Sequence, residues 1–126
     1  VYRQAANEPV VVAKGIEAKP GKRKPTAIEA KWMASIVEYG CIACRLDGHQ
    51  PRPTAVHHIV EAGRRLGHLF TVPLCDPGHH QNGAELGLIS RHPYKARFEA
   101  RYGTEFELLA KLKQALGVFD SAEYQR

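Results

Sequence analysis

Residues 72–83 read VPLCDPGHHQNG. An apolar, β-branched run ends on Cys75, passes Asp76-Pro77, and reaches the doublet His79-His80. Two more cysteines stand upstream in CIAC, residues 41–44, and a second doublet, His57-His58, sits in TAVHHIV, residues 54–60. A structural zinc takes four sulfur or nitrogen ligands in a tetrahedron. The Cys41-x-x-Cys44 pair brings two sulfurs to one ion, and Cys75 supplies a third. On spacing alone either His79 or His80 can close the set. The step of one helical turn from Cys75 to His79 makes Cys41, Cys44, Cys75 and His79 the expected structural site. Three cysteines is an odd number, which suits a metal in a reducing compartment better than a disulfide framework.

Working outward, the chain has 126 residues, 44% hydrophobic and 25% charged, the balance of one globular domain. No apolar run is long enough to cross a bilayer and no secretory signal pattern opens the chain, so no membrane partner is expected. The net charge is +5, unevenly placed. Residues 1–25 hold 6 Lys/Arg against 2 Asp/Glu, while residues 26–126 hold 12 against 11. A basic leader on a near-neutral body fits a polyanion-seeking arm. The division expected is an extended arm over 1–25 and a folded domain over 26–126. Lys19, Lys22, Arg23 and Lys24 in the arm are candidate phosphate contacts. Arg64 and Arg65, between the two extended segments, are further candidates.

The body reads as helix, knuckle, strand, loop, strand, helix and two further helices. Thr26 and Glu29 form a capping box for a helix with Ile28, Trp32, Met33, Ile36 and Val37 on one stripe, stopped by Gly40. TAVHHIV (54–60) and LFTVPLC (69–75) read as extended segments, the second demoted to an edge by Pro73. Asp76 with Pro77 predicts a helix start carrying His79 and His80 in its first turn. Tyr94, Phe98 and Tyr102 predict a helix ended by Gly103, with an aromatic face read as core. Thr104 and Glu107 cap a last helix closed by Gly117. His49 and His68 are read as surface or loop groups.

Adjacent residues of a strand face opposite ways, so His57 and His58 cannot serve one ligand. Taken together, CIAC, VHHI, PLC and HH resemble the HNH, or ββα-metal, endonucleases. The resemblance implies an α+β fold: a small ββα-metal core with a structural zinc knuckle, flanked by helices. It implies His58 as general base and His57 as a ligand of a catalytic Mg2+ or Mn2+. His80 follows His79 as the family's metal histidine follows its last zinc ligand. The third ligand is assigned to His92, with eleven residues between it and His80. The chain departs from the family at Phe70, where an Asn normally orients the base.

A narrower resemblance covers VPLCDPGHHQNG and RHPYKARFEARYGTEFELL. It is similar to the phage recombination-enhancement function nucleases, which depend on RecA. That likeness implies metal-dependent cutting of DNA within strand-exchange structures formed by a RecA filament, in the host bacterial cytoplasm. The HNH resemblance implies 5′-phosphate and 3′-hydroxyl ends, and a monomer is expected. Two rivals keep the same residues. One is a zinc-stabilised DNA-binding module without catalysis, which has no use for four spare histidines. The other is a toxin-like RNase on the same metal site.

Overall fold

The computed structural model describes residues 24–118. Helix α1 runs Ala27–Tyr39. Thr26 caps it, its hydroxyl accepting from Glu29 N while the Glu29 carboxylate accepts from Thr26 N. Trp32 and Ile36 carry its buried face, whereas Ile28 and Val37 are exposed, so the apolar stripe is narrower than its sequence. The Trp32 indole N–H donates to Thr71 Oγ1 at 2.9 Å, which fixes α1 on the strand that follows. Gly40, at φ 88, turns the chain into the short helix α2, Ile42–Leu46.

The sheet is two-stranded. β1 (Thr54–His58) pairs antiparallel with β4 (Thr71–Cys75), Thr54 opposite Cys75 and His58 opposite Thr71. Between them the chain makes a small excursion, β2 (Val60–Glu61) against β3 (Arg64–Arg65). The sequence reads this segment as a loop. Instead Ala62 (φ 53) and Gly63 (φ 77) both take left-handed backbone, the geometry of a tight two-residue hairpin turn. The excursion is closed by Ile59 N–H to Phe70 O at 2.9 Å and Leu66 N–H to Ile59 O at 3.1 Å.

The expected helix after Asp76 is absent. Residues 76–80 form a turn, closed by His80 N–H to Cys75 O at 2.8 Å. Gly78 sits at φ 151, outside helical backbone. The Asp76 carboxylate accepts from Gln81 Nε2 at 3.0 Å and contacts His80 Nδ1 at 3.3 Å, instead of capping a first turn. Asp76 has the chemistry of a helix cap, but His80 and Gln81 engage its carboxylate instead of backbone N–H groups. A 3₁₀ turn follows at Ala84–Leu86.

Helices α3 (Lys95–Tyr102) and α4 (Glu105–Leu116) form as the sequence predicts, separated by Gly103 and capped at Thr104 by a second capping box. Phe98 and Tyr102 are core, as expected, while Tyr94 is 48% exposed. Their burial joins Leu108 and Leu112 of α4 to Val72 and Leu74 of β4 in one core that also encloses the three cysteines. The architecture is α+β, four helices with two small two-stranded sheets among the described residues.

Candidate metal centre and active site

Cys41, Cys44, Cys75 and His79 converge, with donor atoms all within 4.8 Å of one another. They come from four places: the entry to α2, its first turn, the end of β4, and the turn beyond. Tetrahedral zinc bonded to sulfur and imidazole sets sulfur–sulfur edges of about 3.8 Å and sulfur–nitrogen edges of about 3.5 Å. The Cys44 and Cys75 sulfurs lie 3.8 Å apart. His79 Nδ1 lies 3.5, 3.6 and 3.4 Å from the sulfurs of Cys41, Cys44 and Cys75. The edges match a single metal such as zinc at the centre. His79, fully buried, makes this set, while His80 does not.

Two backbone amides support the sulfurs, Cys44 N–H to Cys41 Sγ and His79 N–H to Cys75 Sγ. The neighbouring Cys41 thiol and then His79 push the Cys75 thiol down, against the opposing effect of burial. The Cys75 sulfur, with burial, pushes the Cys41 thiol up. The thiolate is the form that binds metal. With Nδ1 facing the sulfurs, His79 Nε2 carries the proton and donates to Tyr102 Oη at 3.0 Å. Tyr102 donates to Asp47 Oδ2 at 2.7 Å. Arg101 donates to Asp47 Oδ1 from Nε and Nη2, at 3.1 and 2.9 Å. Burial and the Asp47 hydrogen bond hold the Tyr102 phenol up at about 12, so it stays a donor. Burial raises the Asp47 carboxyl, but Tyr102 and Arg101 outweigh it and the net shift is downward. This relay fixes the tautomer and plane of the candidate ligand. It ties α3 to the metal centre, a link no spacing rule exposes.

The strand alternation expected of the first doublet is present. His57 turns toward α4 and His80, with the two rings 5.2 Å apart. Its Nε2 lies 2.6 Å from Glu105 Oε2, and Arg91 Nη2 reaches the same oxygen at 3.0 Å. His80 Nδ1 meets Asp76 at 3.3 Å. Each of these two histidines therefore has a carboxylate on one ring nitrogen, leaving the other as a candidate donor. Histidines that hold metals commonly show that arrangement. Glu105 was not singled out from the sequence. Its signal was faint: an acidic residue at the first position of a capped helix, which normally serves the helix dipole alone.

His92 is exposed, and its backbone N–H donates to His80 O at 3.1 Å. His92 also bridges Gln81. The chain between them thus returns to the second doublet.

His58 turns the other way. Its Nε2 lies 3.0 Å from Nδ1 of His68. His68 is 7% exposed, not the surface group the sequence suggests. The His58 imidazole is pushed down to about 4, mainly by burial and then by the charge of Arg65. His58 is accordingly neutral near pH 7. Arg64 and Arg65 are exposed on the β2–β3 hairpin, and Lys24 is exposed ahead of α1. Lys19, Lys22 and Arg23 lie outside the described residues.

No helix among the described residues is long and apolar enough to cross a membrane. No curated protein matches the chain. The family described as "Recombination enhancement, RecA-dependent nuclease" matches residues 25–117, a span that takes in α1, both doublets, the cysteine cluster and α4. That span is well over half of the sequence, and the chain belongs to this family of RecA-dependent nucleases.

Proposed function

We propose that the chain is an HNH-type endonuclease that hydrolyses DNA phosphodiester bonds, with His58 as general base, on DNA presented in a RecA filament. The observation that carries this reading is the strand doublet: His58 is neutral at physiological pH, while its neighbour His57 faces a second, carboxylate-backed histidine, His80. His58 is suited to accept a proton, and His57 with His80 to help hold a cation.

His57 and His80, with His92 as third ligand, would hold a divalent ion such as Mg2+ or Mn2+. Bound there, such an ion would supply positive charge that stabilises the phosphate under attack. Neutral His58 takes a proton from water. The resulting hydroxide oxygen bonds to phosphorus, the bond to the 3′-oxygen breaks, and that oxygen leaves with the electron pair to be protonated by solvent. The products are a 5′-phosphate and a 3′-hydroxyl. Arg65, whose charge is felt at His58, and its neighbour Arg64 suit phosphate contacts beside the attacked bond. Lys19, Lys22, Arg23 and Lys24 suit backbone contacts further along the strand. The Cys41, Cys44, Cys75 and His79 zinc is part of the fold, not of the reaction.

The test is cleavage of duplex and single-stranded DNA with Mg2+, by the parent and by His58→Ala, each with and without RecA and ATP. Zinc content and circular dichroism establish that both are folded. The expected result is RecA-dependent cutting by the parent and a loss of about 10²–10⁴-fold in the variant. Equal cutting by the variant would remove His58 as base. Equal cutting without RecA would remove the filament from the reading. Binding by both with cutting by neither would put the zinc-stabilised DNA-binding module in its place.

A further inference from the structure

Phe70 occupies the position at which HNH nucleases carry the residue that orients the general base. Its side chain is apolar, and its carbonyl accepts from Ile59 N–H at 2.9 Å. The Phe70 side chain has no hydrogen bond to offer an imidazole. The structure brings another group to the place.

We infer that His68 is the positioning residue for His58: it accepts the His58 Nε2–H at its own Nδ1 and so leaves His58 Nδ1 as the nitrogen that accepts the proton of water. The inference rests on His58 being the base. Four observations support it. The two nitrogens are 3.0 Å apart, within hydrogen-bond range, and the rings are inclined at 70°. His68 is buried, at 7% exposure, so its position is set by packing. Its backbone is anchored: the His68 carbonyl accepts from Thr71 Oγ1 at 3.0 Å, and Thr71 in turn accepts from the Trp32 indole at 2.9 Å. The turn that delivers it is also fixed, with Gly67 at φ 126 and Phe70 N–H donating to Gly67 O at 3.1 Å.

The chemistry selects one of two proton arrangements. A single proton is shared between His58 Nε2 and His68 Nδ1. If His68 were the donor, neutral His58 would carry its own proton on Nδ1 and have no lone pair to offer. With His58 as donor, Nδ1 is free, and the imidazolium formed in the reaction keeps its hydrogen bond to His68 Nδ1. The hairpin excursion through β2 and β3 is what folds residue 68 back onto residue 58. The orienting group therefore sits ten positions along the chain from its partner, instead of at the usual register before the third cysteine.

The test uses the full chain with zinc bound, and the variants His68→Leu and His68→Asn. Asn keeps an acceptor near the position of the imidazole Nδ1, and Leu does not. Long-range 1H–15N spectra of the imidazoles read the tautomer directly, without DNA or Mg2+. In the parent, His58 is expected as the Nε2–H tautomer, and in His68→Leu as a mixture. Single-turnover cleavage with saturating RecA-coated DNA should fall about 10–100-fold in His68→Leu, with DNA affinity and zinc content unchanged, and recover in His68→Asn to within a few fold of the parent. A parent His58 protonated on Nδ1 overturns the inference, even if His68→Leu does not fold. So does parental cleavage by His68→Leu. His58→Ala separates the failures: if it cleaves like the parent, the general-base reading falls, and the tautomer spectrum no longer describes a catalytic group.

Discussion

At Glu105 three influences act on one carboxyl. Burial raises it, while the His57 hydrogen bond and the Arg91 charge lower it, and the lowering wins against a reference value of 4.5. A carboxyl whose folded value is depressed stabilises the fold above its unfolded value. That contribution is lost as the pH falls from about 4.5 through the lower folded value. Glu105→Gln should therefore be less stable than the parent at pH 7 and converge with it in acid. Urea midpoints of zinc-loaded protein check this, measured from pH 7 down to the lowest pH at which both proteins still hold zinc. A constant gap across the range would mean that the His57–Glu105 contact contributes through packing alone. The same residue illustrates what sequence reading reaches. A histidine doublet announces itself by type and spacing. Glu105 is ordinary in its own helix and gains meaning only from a partner on β1, and His68 only from the hairpin that returns it to His58.

Among the elements, the turn over residues 76–80 carries the most consequence per residue. It must place the His79 backbone N–H on Cys75 Sγ and the His79 ring among three sulfurs, which a first helical turn starting at Asp76 was expected to do. Gly78 makes the tighter path possible. Its φ of 151 is strained for any other residue, and a Cβ there would stand against the Cys75 sulfur. Gly78→Ala should lower zinc affinity and the melting temperature together. Zinc stoichiometry under competition with a chromophoric chelator checks the first and thermal unfolding the second. Zinc retention equal to the parent's would show that the turn can shift without opening the site. Capping boxes, glycine stops and the aromatic step in α3 were readable from sequence because their causes are local. The helix expected after Asp76 was not, because the Asp76 carboxylate is committed to His80 and Gln81, and that choice depends on the far side of the site.

Across the whole molecule the cysteine cluster is the point where the elements meet. Cys41, Cys44, Cys75 and His79 are all at most 1% exposed, inside the same core as Trp32, Ile36, Leu74, Phe98 and Leu108. The relay from His79 through Tyr102 to Asp47 and Arg101 carries that junction into α3. Structural zinc in such a set contributes about 10–16 kcal/mol to the bound state. A domain of this size has a net stability of only about 5–15 kcal/mol. The first quantity is as large as the second, so removing the metal should unfold the chain and not merely inactivate it. The three sulfurs and one imidazole would otherwise remain buried together with no cation between them. A zinc chelator strong enough to strip the cluster should abolish near-ultraviolet circular dichroism and cooperative melting, and zinc should restore both. A weak chelator that withdraws only Mg2+ should stop cleavage and leave the melting curve in place. That contrast separates a metal that holds the fold from one that serves His57 and His80. A metal-free chain that still melts cooperatively at the parent's temperature would show that the apolar core suffices alone, and the cysteine cluster would then lose its structural role.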